Sequence, residues 1–543
     1  MAVTKKARTN SGVTPYSGSF GNAEILHLLK RCTFGASKDD LDFFSGKTMN
    51  QVVDAVLNID YTPPTPPLNN YNTPTSIDPN VPAGQTWVND YNGTFNGQRQ
   101  SSFKRWWVGQ MINQDRTIRE KLVLFWHNHF ATELNVYAWA NMAYTQNAML
   151  RANCMKNFKD LVKNITIDPA MLIFLNGERN TKTAPDENYS RELQELFTLG
   201  KGPDSQYTED DVIEGARVLT GWRVNRTNGT SYFDPARHDE GNKTFSSFYN
   251  DFTITGKTGT NGADEFNDMI AMIFNEFEVA KFIARKFYRW FVYYEIDANT
   301  ETDVITPLAN TFRNANYDIK PMLEQLFKSE HFFDVANRGA LIKSPMDFMV
   351  GLMRQFEISS NNTYIGPSDP GNNVFPTSSN IPEQYYMWYL IQYFGAIQQQ
   401  NIGDPPGVAG WSAYYQVPQF HELWINSDTL PNRNKVSDYI AAVGYTYNGF
   451  RMKIDSAKLA DKFSNVANPT LFIQDLIDFF FTLDVNQDQK DYMKSILLAG
   501  QVQDFYWTND WNAYKAGTPG NTAETKLTLL FKYFMNLSEY QLS

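Results

Sequence analysis

Residues 103–130 read FKRWWVGQMINQDRTIREKLVLFWHNHF, and this stretch decides the fold class. Its large apolar residues recur at three- and four-residue spacing: Phe103, Trp106, Trp107, Met111, Ile118, Leu122, Phe125 and Trp126. That spacing brings side chains to one face of an α-helix, whereas a half-buried strand alternates every second residue. Helical periodicity continues to residue 222, so we predict a mainly α, large multi-helix globular protein.

Outside this stretch the pattern changes in places that can be assigned. Short helices are predicted within residues 22–57, with Ser37 and Asn50 as the N-caps of two of them, and longer helical runs within 265–355 and 435–542. Thr208 is predicted to cap a further helix. Between residues 225 and 262, glycine, threonine and phenylalanine alternate around a GKTG turn, which predicts a small β-hairpin insertion near 225–262. No internal repeat of fixed period is present.

Two stretches rich in proline, asparagine, serine and threonine, residues 61–97 and 359–382, predict long loops. The domain prediction that follows has three parts: a flexible polar tail over 1–18, a main helical domain over 19–434, and a C-terminal helical part over 435–543 packed on the main domain.

Composition excludes several classes of protein. With 42% hydrophobic and 20% charged residues, the chain has the balance of a folded globular protein. Its formal net charge of −11 argues against nucleic-acid binding, which requires a basic surface to displace counterions from phosphates. No run of 18 apolar residues is present, so no membrane span is predicted.

The first 18 residues lack the apolar core of a secretory signal, so the sequence at face value predicts a cytoplasmic protein. The chain contains only two cysteines, Cys32 and Cys154. A Cys-x-x-Cys metal site is therefore excluded, and buried free thiols are favoured over a disulfide.

Three polar segments interrupt the helical pattern: FWHNHF (125–130), DENYSRELQEL (186–196) and RHDEGNK (237–243). The first contains His127 and His129. If the helix continues through both, the two rings point about 200° apart and cannot ligate one ion together. If it ends in a bend, both can serve as metal ligands. The alternative is a pair of core histidines packed by Trp126 and Phe130.

The second segment predicts a carboxylate-rich helix. Glu187, Arg191 and Glu195 form a row with four-residue spacing, and Glu192 lies three residues from Glu195. If this face is buried, the carboxylates need a cation. We therefore take Glu192 and Glu195 as candidate metal ligands, and Glu187 and Arg191 as catalytic candidates. The alternative is a solvated face whose helix salt pairs contribute roughly 0.3–0.5 kcal/mol each.

The third segment offers acid–base chemistry. His238 is a candidate general base, Asp239 the carboxylate that orients it, and Lys243 a nearby cation. Alternatively, Asp239 and Asn242 merely cap a turn. The sequence contains no glycine-rich phosphate loop, nucleophile elbow or His-Glu-x-x-His zinc motif.

Taken together, the motifs resemble the domain-of-unknown-function 1800 family of bacterial proteins. The segments that carry the resemblance are HLLKR (27–31), FG (34–35), FWHNHF (125–130), DPAM (168–171), ENYSREL (187–193), ELFTLG (195–200), YTEDDV (207–212), ARVLTGW (216–222), HDEGNK (238–243) and KSP (343–345). Two positions depart from the family pattern: Gly407 stands where asparagine is usual, and Ser246 where glycine is usual.

The resemblance implies a fold and a set of positions, since the family has no established activity. Its members are often exported, and their genes commonly neighbour those of the domain-of-unknown-function 1501 family, which resembles the alkaline phosphatase and sulfatase group. A protein of that second family is therefore the implied partner, and export together with this partner is one hypothesis for localisation.

Three hypotheses for function follow. The first is a metal-dependent, hydrolase-like enzyme, in which a divalent Zn, Mn or Fe ion held by His127, His129, Glu192 and Glu195 activates water. The second is a non-catalytic scaffold or surface-assembly protein with a buried structural polar network. The third is a glycan-binding protein that uses its tryptophans: Trp106, Trp107, Trp222 and Trp411.

Overall fold

The computed structural model describes residues 8–358, 378–412 and 421–543. It confirms the mainly α fold class. The helices before the insertion are α1 (Asn22–Cys32), α2 (Lys38–Phe44), α3 (Met49–Val56), α4 (Asn96–Ile112), α5 (Arg119–His129), α6 (Leu134–Tyr137), α7 (Ala140–Asn153), α8 (Phe158–Thr166), α9 (Pro169–Phe174), α10 (Asn188–Glu192) and α11 (Glu209–Val218). A π-helix over Leu193–Thr198 directly continues α10.

The helices after the insertion complete the body and the C-terminal part. They are α12 (Glu265–Ile273), α13 (Phe277–Phe291), α14 (Ala298–Thr300), α15 (Thr306–Asn314), α16 (Ile319–Phe327), α17 (Glu330–Phe333), α18 (Pro345–Gln355), α19 (Ile381–Ile397), α20 (Thr429–Ala442), α21 (Ser456–Ala460), α22 (Pro469–Phe480), α23 (Gln487–Leu497), α24 (Phe505–Lys515) and α25 (Ala523–Asn536). A second π-helix lies at Glu301–Ile305.

The predicted hairpin insertion is confirmed as two antiparallel pairs. Strand β1 (Trp222–Asn225) pairs with β2 (Thr230–Phe233), and β3 (Lys243–Thr244) pairs with β4 (Thr253–Ile254). A third pair, β5 (Tyr445–Tyr447) with β6 (Phe450–Met452), was not predicted.

Helix α5 lies at the centre of the core, because every residue from Glu120 to His129 is buried. Its buried charges are paired: Arg151 of α7 donates to both oxygens of Glu120, at 2.9 and 2.8 Å. Helix α4 packs against α7, α18 and α19, while α20 packs against α25. Both cysteines are buried free thiols, as expected.

Local signals explain several helix starts. Ser37 and Thr208 cap α2 and α11 as predicted, each through a capping box with an aspartate three residues later. The prediction of Asn50 as the cap of α3 is wrong. Thr48 caps this helix instead, since Gln51 lies three residues after it and completes the reciprocal bonds.

The predicted tail and loops lie partly within the described residues. Residues 61–92 contain neither helix nor strand, but a 3₁₀ turn begins at Gly93 and α4 at Asn96. Residues 359–377 of the second predicted loop lie outside the described residues, and α19 already begins at Ile381. Arg8, in the predicted tail, stacks 3.4 Å over the ring of Tyr293. No described helix has the length and apolar character needed to cross a bilayer.

Candidate functional site

The third polar segment forms a buried ionic network that we call the insertion network: Thr220, His238, Lys243 and Glu265. Nζ of Lys243 lies 2.6 Å from Oε2 of Glu265, and both side chains are fully buried. Nε2 of His238 lies 3.1 Å from Oε1 of Glu265. Nδ1 of His238 lies 2.9 Å from the carbonyl oxygen of Thr220. The network therefore ties β3 to α12 and to the chain that follows α11.

Glu265 is the centre of this network. The backbone N–H of Lys257 also donates to it, at 2.6 Å. Burial alone would raise the pKa of Glu265, but the contacts from His238 and Lys243 outweigh burial and hold the pKa below its usual value. The carboxylate is therefore ionised and fully engaged at neutral pH.

Asp239 does not orient His238. It accepts two hydrogen bonds from the guanidinium of Arg217, at 2.9 and 3.2 Å, and one from the N–H of Gly241, at 2.8 Å. Burial would raise the pKa of Asp239, but these bonds lower it below its usual value. Asp239 therefore has the contacts of a turn cap together with a salt bridge to Arg217.

The charged side chains of the second polar segment reach the surface. Arg191 pairs with Glu187 at 3.0 Å and also with Glu209, and these three side chains are 36%, 39% and 60% exposed. Glu195 pairs with the exposed Lys201 at 3.0 Å instead of extending the row. The row of Glu187, Arg191 and Glu195 depends on the four-residue spacing of an α-helix, and it is interrupted because α10 gives way to the π-helix at Leu193.

Glu192 is the least compensated of these carboxylates. It is half-buried, and burial followed by repulsion from Glu195 raises its pKa. Arg191 and Lys201 oppose this shift without reversing it. A cation between Glu192 and Glu195 would relieve the repulsion.

His127 and His129 lie in the core on different sides of α5. Because α5 runs through His129, the geometry in which both rings face one ion does not form. His127 packs edge-on against Trp107, with ring centroids 5.0 Å apart, and lies 5.9 Å from Trp411. Nε2 of His129 lies 3.0 Å from the carbonyl oxygen of Phe197 in the π-helix.

Burial lowers the pKa of both histidines, to about 4 for His127 and well below the usual value for His129. Both rings are therefore neutral at pH 7. Within the described residues, Nε2 of His127 and Nδ1 of His129 have no hydrogen-bond partner.

The predicted site residues thus have different surroundings and do not form one cleft. In the described part of the chain, no three His, Cys, Asp or Glu side chains are grouped so that they could hold a metal ion. The metal-ligand and catalytic roles assigned from the sequence stay predictions. Three tryptophans of the glycan hypothesis are core residues, since Trp106, Trp107 and Trp411 are at most 2% exposed.

Two motif features have structural explanations. Oδ1 of Asn128 accepts the N–H of Trp411 at 2.8 Å, which joins the FWHNHF segment to the turn before Trp411. Ser246, the departure from the family glycine, donates its hydroxyl to Asp211 at 2.7 Å. Gly407, the other departure, has open space where a Cβ would lie.

Sequence reasoning missed a basic cavity between α1, α5 and the end of α13. Lys30 and Arg31 from α1, Lys121 from α5 and Arg289 from α13 line it, together with His421. The sequence does contain a signal for it. Lys30 and Arg31 lie next to each other in the apolar stretch ILHLLKRC, which indicates a helix that is buried on most sides together with its charged residues. The structure has α1 buried from Glu24 to Cys32.

The fold and its buried ion pairs define a mainly helical protein whose hairpin insertion is fixed to the helices by salt bridges. The chain belongs to the family described as "Protein of unknown function (DUF1800)", whose model matches residues 27–542. The resemblance seen in the sequence is thereby confirmed. No curated protein and no solved structure matches the chain significantly.

Proposed function

We propose that this protein is a non-catalytic scaffold or surface-assembly protein. The observation that carries the proposal is that most of the charged groups expected to do chemistry already contact an opposite charge within the chain. Lys243 is paired with Glu265, Asp239 with Arg217, and Arg191 with Glu187 and Glu209. Groups engaged in this way stabilise contacts between elements, and breaking a buried pair would be costly.

A tyrosine-rich surface supports the assembly role. Its members lie on α19, at the end of α20 and in the β5–β6 hairpin, and we call them the tyrosine surface: Tyr386, Tyr389, Tyr393, Tyr439, Tyr445 and Tyr447. Tyr393 and Tyr439 are 44% and 40% exposed, and the other four are half-buried.

The rings of this surface form a nearly continuous band. Tyr386 stacks on Tyr447 with centroids 4.0 Å apart and lies 5.9 Å from Tyr389, which in turn lies 5.9 Å from Tyr393. Tyrosine is enriched in protein interfaces because it buries a large apolar ring at a small entropic cost and keeps a hydroxyl for hydrogen bonding. The partner we propose is a protein of the domain-of-unknown-function 1501 family, as the family resemblance implies.

The test is co-purification with a tagged partner of that family encoded by a neighbouring gene. The variant Tyr386→Ser with Tyr389→Ser and Tyr393→Ser is expected to lower recovery of the complex at least tenfold, since central interface tyrosines typically contribute 2 kcal/mol or more. Tyr492→Ser on α23, 54% exposed in the wild type, is the matched control and is expected to keep the complex. Equal recovery for both variants, at equal Tm, would contradict the proposal.

One observation favours the metal-dependent enzyme as a second candidate. Glu192, the least compensated carboxylate of this segment, and its neighbour Glu195 would gain from a bound divalent cation, because burial and repulsion from Glu195 raise the pKa of Glu192. Metal content measured on the wild type and on Glu192→Gln separates the two candidates.

A further inference from the structure

The basic cavity behind α1 has properties that the scaffold role does not explain. It is small, with a volume of about 20 Å³. Five basic side chains line it: Lys30, Arg31, Lys121, Arg289 and His421. Among the described residues, Asp347 in the first turn of α18 is its one acidic side chain.

Lys121, Lys30 and Arg289 have identified partners. Lys121 forms an ion pair with Asp347, the one acidic side chain that the described residues contribute to the lining. Lys30 donates to the carbonyl of Phe480 at 2.6 Å, and Arg289 donates to the carbonyl of Tyr294 at 3.3 Å. Carbonyl oxygens satisfy the N–H groups but do not neutralise a positive charge, and the one acidic side chain of the described lining is already paired with Lys121.

Arg31 is the least satisfied of these groups. It is 2% exposed, and Nη2 of its guanidinium donates to the carbonyl of Asn337 at 2.8 Å. Its Nε and Nη1 have no partner in the described residues. Buried donors in proteins are nearly always paired, so two unpaired N–H groups on one guanidinium indicate a missing acceptor.

His421 supplies a further donor to the same cavity. Its Nδ1 accepts the N–H of Ile342 at 2.9 Å, so the proton of the neutral ring lies on Nε2. Nε2 is 3.6 Å from Oε1 of Glu422 and makes no hydrogen bond within the described residues. Burial, and then the charge of Arg31, lower the pKa of His421 to about 4, which keeps the ring neutral at pH 7.

We propose that this cavity binds a monovalent inorganic anion of chloride size, with Arg31 and His421 as its principal donors. The volume fits one water-sized group and is too small for a phosphate or sulfate ion. A water molecule would accept only two hydrogen bonds and would leave the positive charge in place. A halide accepts three or more N–H groups and neutralises the guanidinium of Arg31.

The first test compares the Tm of the wild-type protein in sodium chloride and in sodium gluconate at equal ionic strength. Gluconate is too large for the cavity, so only chloride should raise the Tm, and the rise should saturate. At a chloride concentration of 100 Kd, the ratio of folded to unfolded protein rises about a hundredfold. A crystal grown in sodium bromide should show an anomalous peak between Arg31 and His421.

The variants Arg31→Met and Arg99→Met make the test specific. Arg99 is also buried, but its guanidinium donates to Asp78, Asp90 and Tyr71. Arg31→Met is expected to abolish the difference between the two salts, whereas Arg99→Met lowers the Tm in both and keeps the difference. If Arg31→Met fails to fold, the wild-type salt comparison and the bromide crystal decide. Equal Tm values in both salts, or a cavity without a bromide peak, would overturn the proposal.

Discussion

Replacing Lys243 by methionine removes the cation of the insertion network but keeps a side chain of similar length. The wild-type Nζ lies 2.6 Å from Glu265, and neither side chain is exposed. Breaking a buried ion pair by removing one partner costs about 3–5 kcal/mol, because the remaining charge stays buried without compensation. Nε2 of His238 and the N–H of Lys257 still lie 3.1 and 2.6 Å from Glu265. We therefore expect Lys243→Met to lower the free energy of unfolding by about 3 kcal/mol, near the lower end of that range.

The assay is equilibrium unfolding in urea followed by tryptophan fluorescence. Lys243→Met should lower the transition midpoint without changing the slope, since the surface exposed on unfolding stays the same. Lys243→Met combined with Glu265→Met should be more stable than Lys243→Met alone, because no charge then stays buried unpaired. If Lys243→Met lowered the free energy of unfolding by less than about 1 kcal/mol, as is usual for exposed ion pairs, the structural role of the network would be refuted. A double variant whose loss equals the sum of the single losses would refute it as well.

Three further outcomes are expected from the same unfolding assay. Arg191→Ala should cost less than about 1 kcal/mol, because its pairs with glutamates are exposed; a larger loss would mean that this face is buried by a contact. Gly410→Ala should cost at least about 1–3 kcal/mol, since φ is +80° and a Cβ would lie 2.4 Å from the carbonyl oxygen of Asn128; a neutral effect would exclude this close approach. Burial raises the pKa of Asp168 to about 6, above that of the unfolded chain, so its contribution is fully present below about pH 4 and declines as pH rises through 6. Asp168→Asn should remove this decline, and an unchanged pH profile would contradict the assignment.

Most of the fold follows from local sequence signals. The spacing of Phe103, Trp106, Trp107 and Met111 predicts α4 because a helix buries one face. Caps such as Ser37 and Thr208 act on their own helix within three residues, so a sequence reveals them. The π-helix over Leu193–Thr198 was not predictable in this way. It accompanies a bond from the hydroxyl of Thr198 to the carbonyl of Leu193, five residues earlier, which leaves no periodic signal.

The candidate site was less predictable because its contacts join distant parts of the chain. His238 and Lys243 stand out as polar residues, but their shared partner Glu265 belongs to the start of α12 and lay outside the segments selected. Arg31 and His421, which line the same cavity, are even further apart along the sequence, and no local sequence pattern relates them. The sequence could indicate which residues are unusual. It could not indicate which opposite charge each one meets, and that partner decides between catalysis and structure.

Metal analysis of the purified protein is the most direct test of the central claim that the polar segments form ion pairs within the chain and do not hold a catalytic metal ion. Plasma mass spectrometry of the wild type, His127→Ala and Glu192→Gln, each purified without chelator, compares the metal bound per chain. The scaffold account predicts no stoichiometric zinc, manganese or iron in any of the three. One metal ion per wild-type chain that is lost in both variants would contradict it and favour the metal-dependent enzyme.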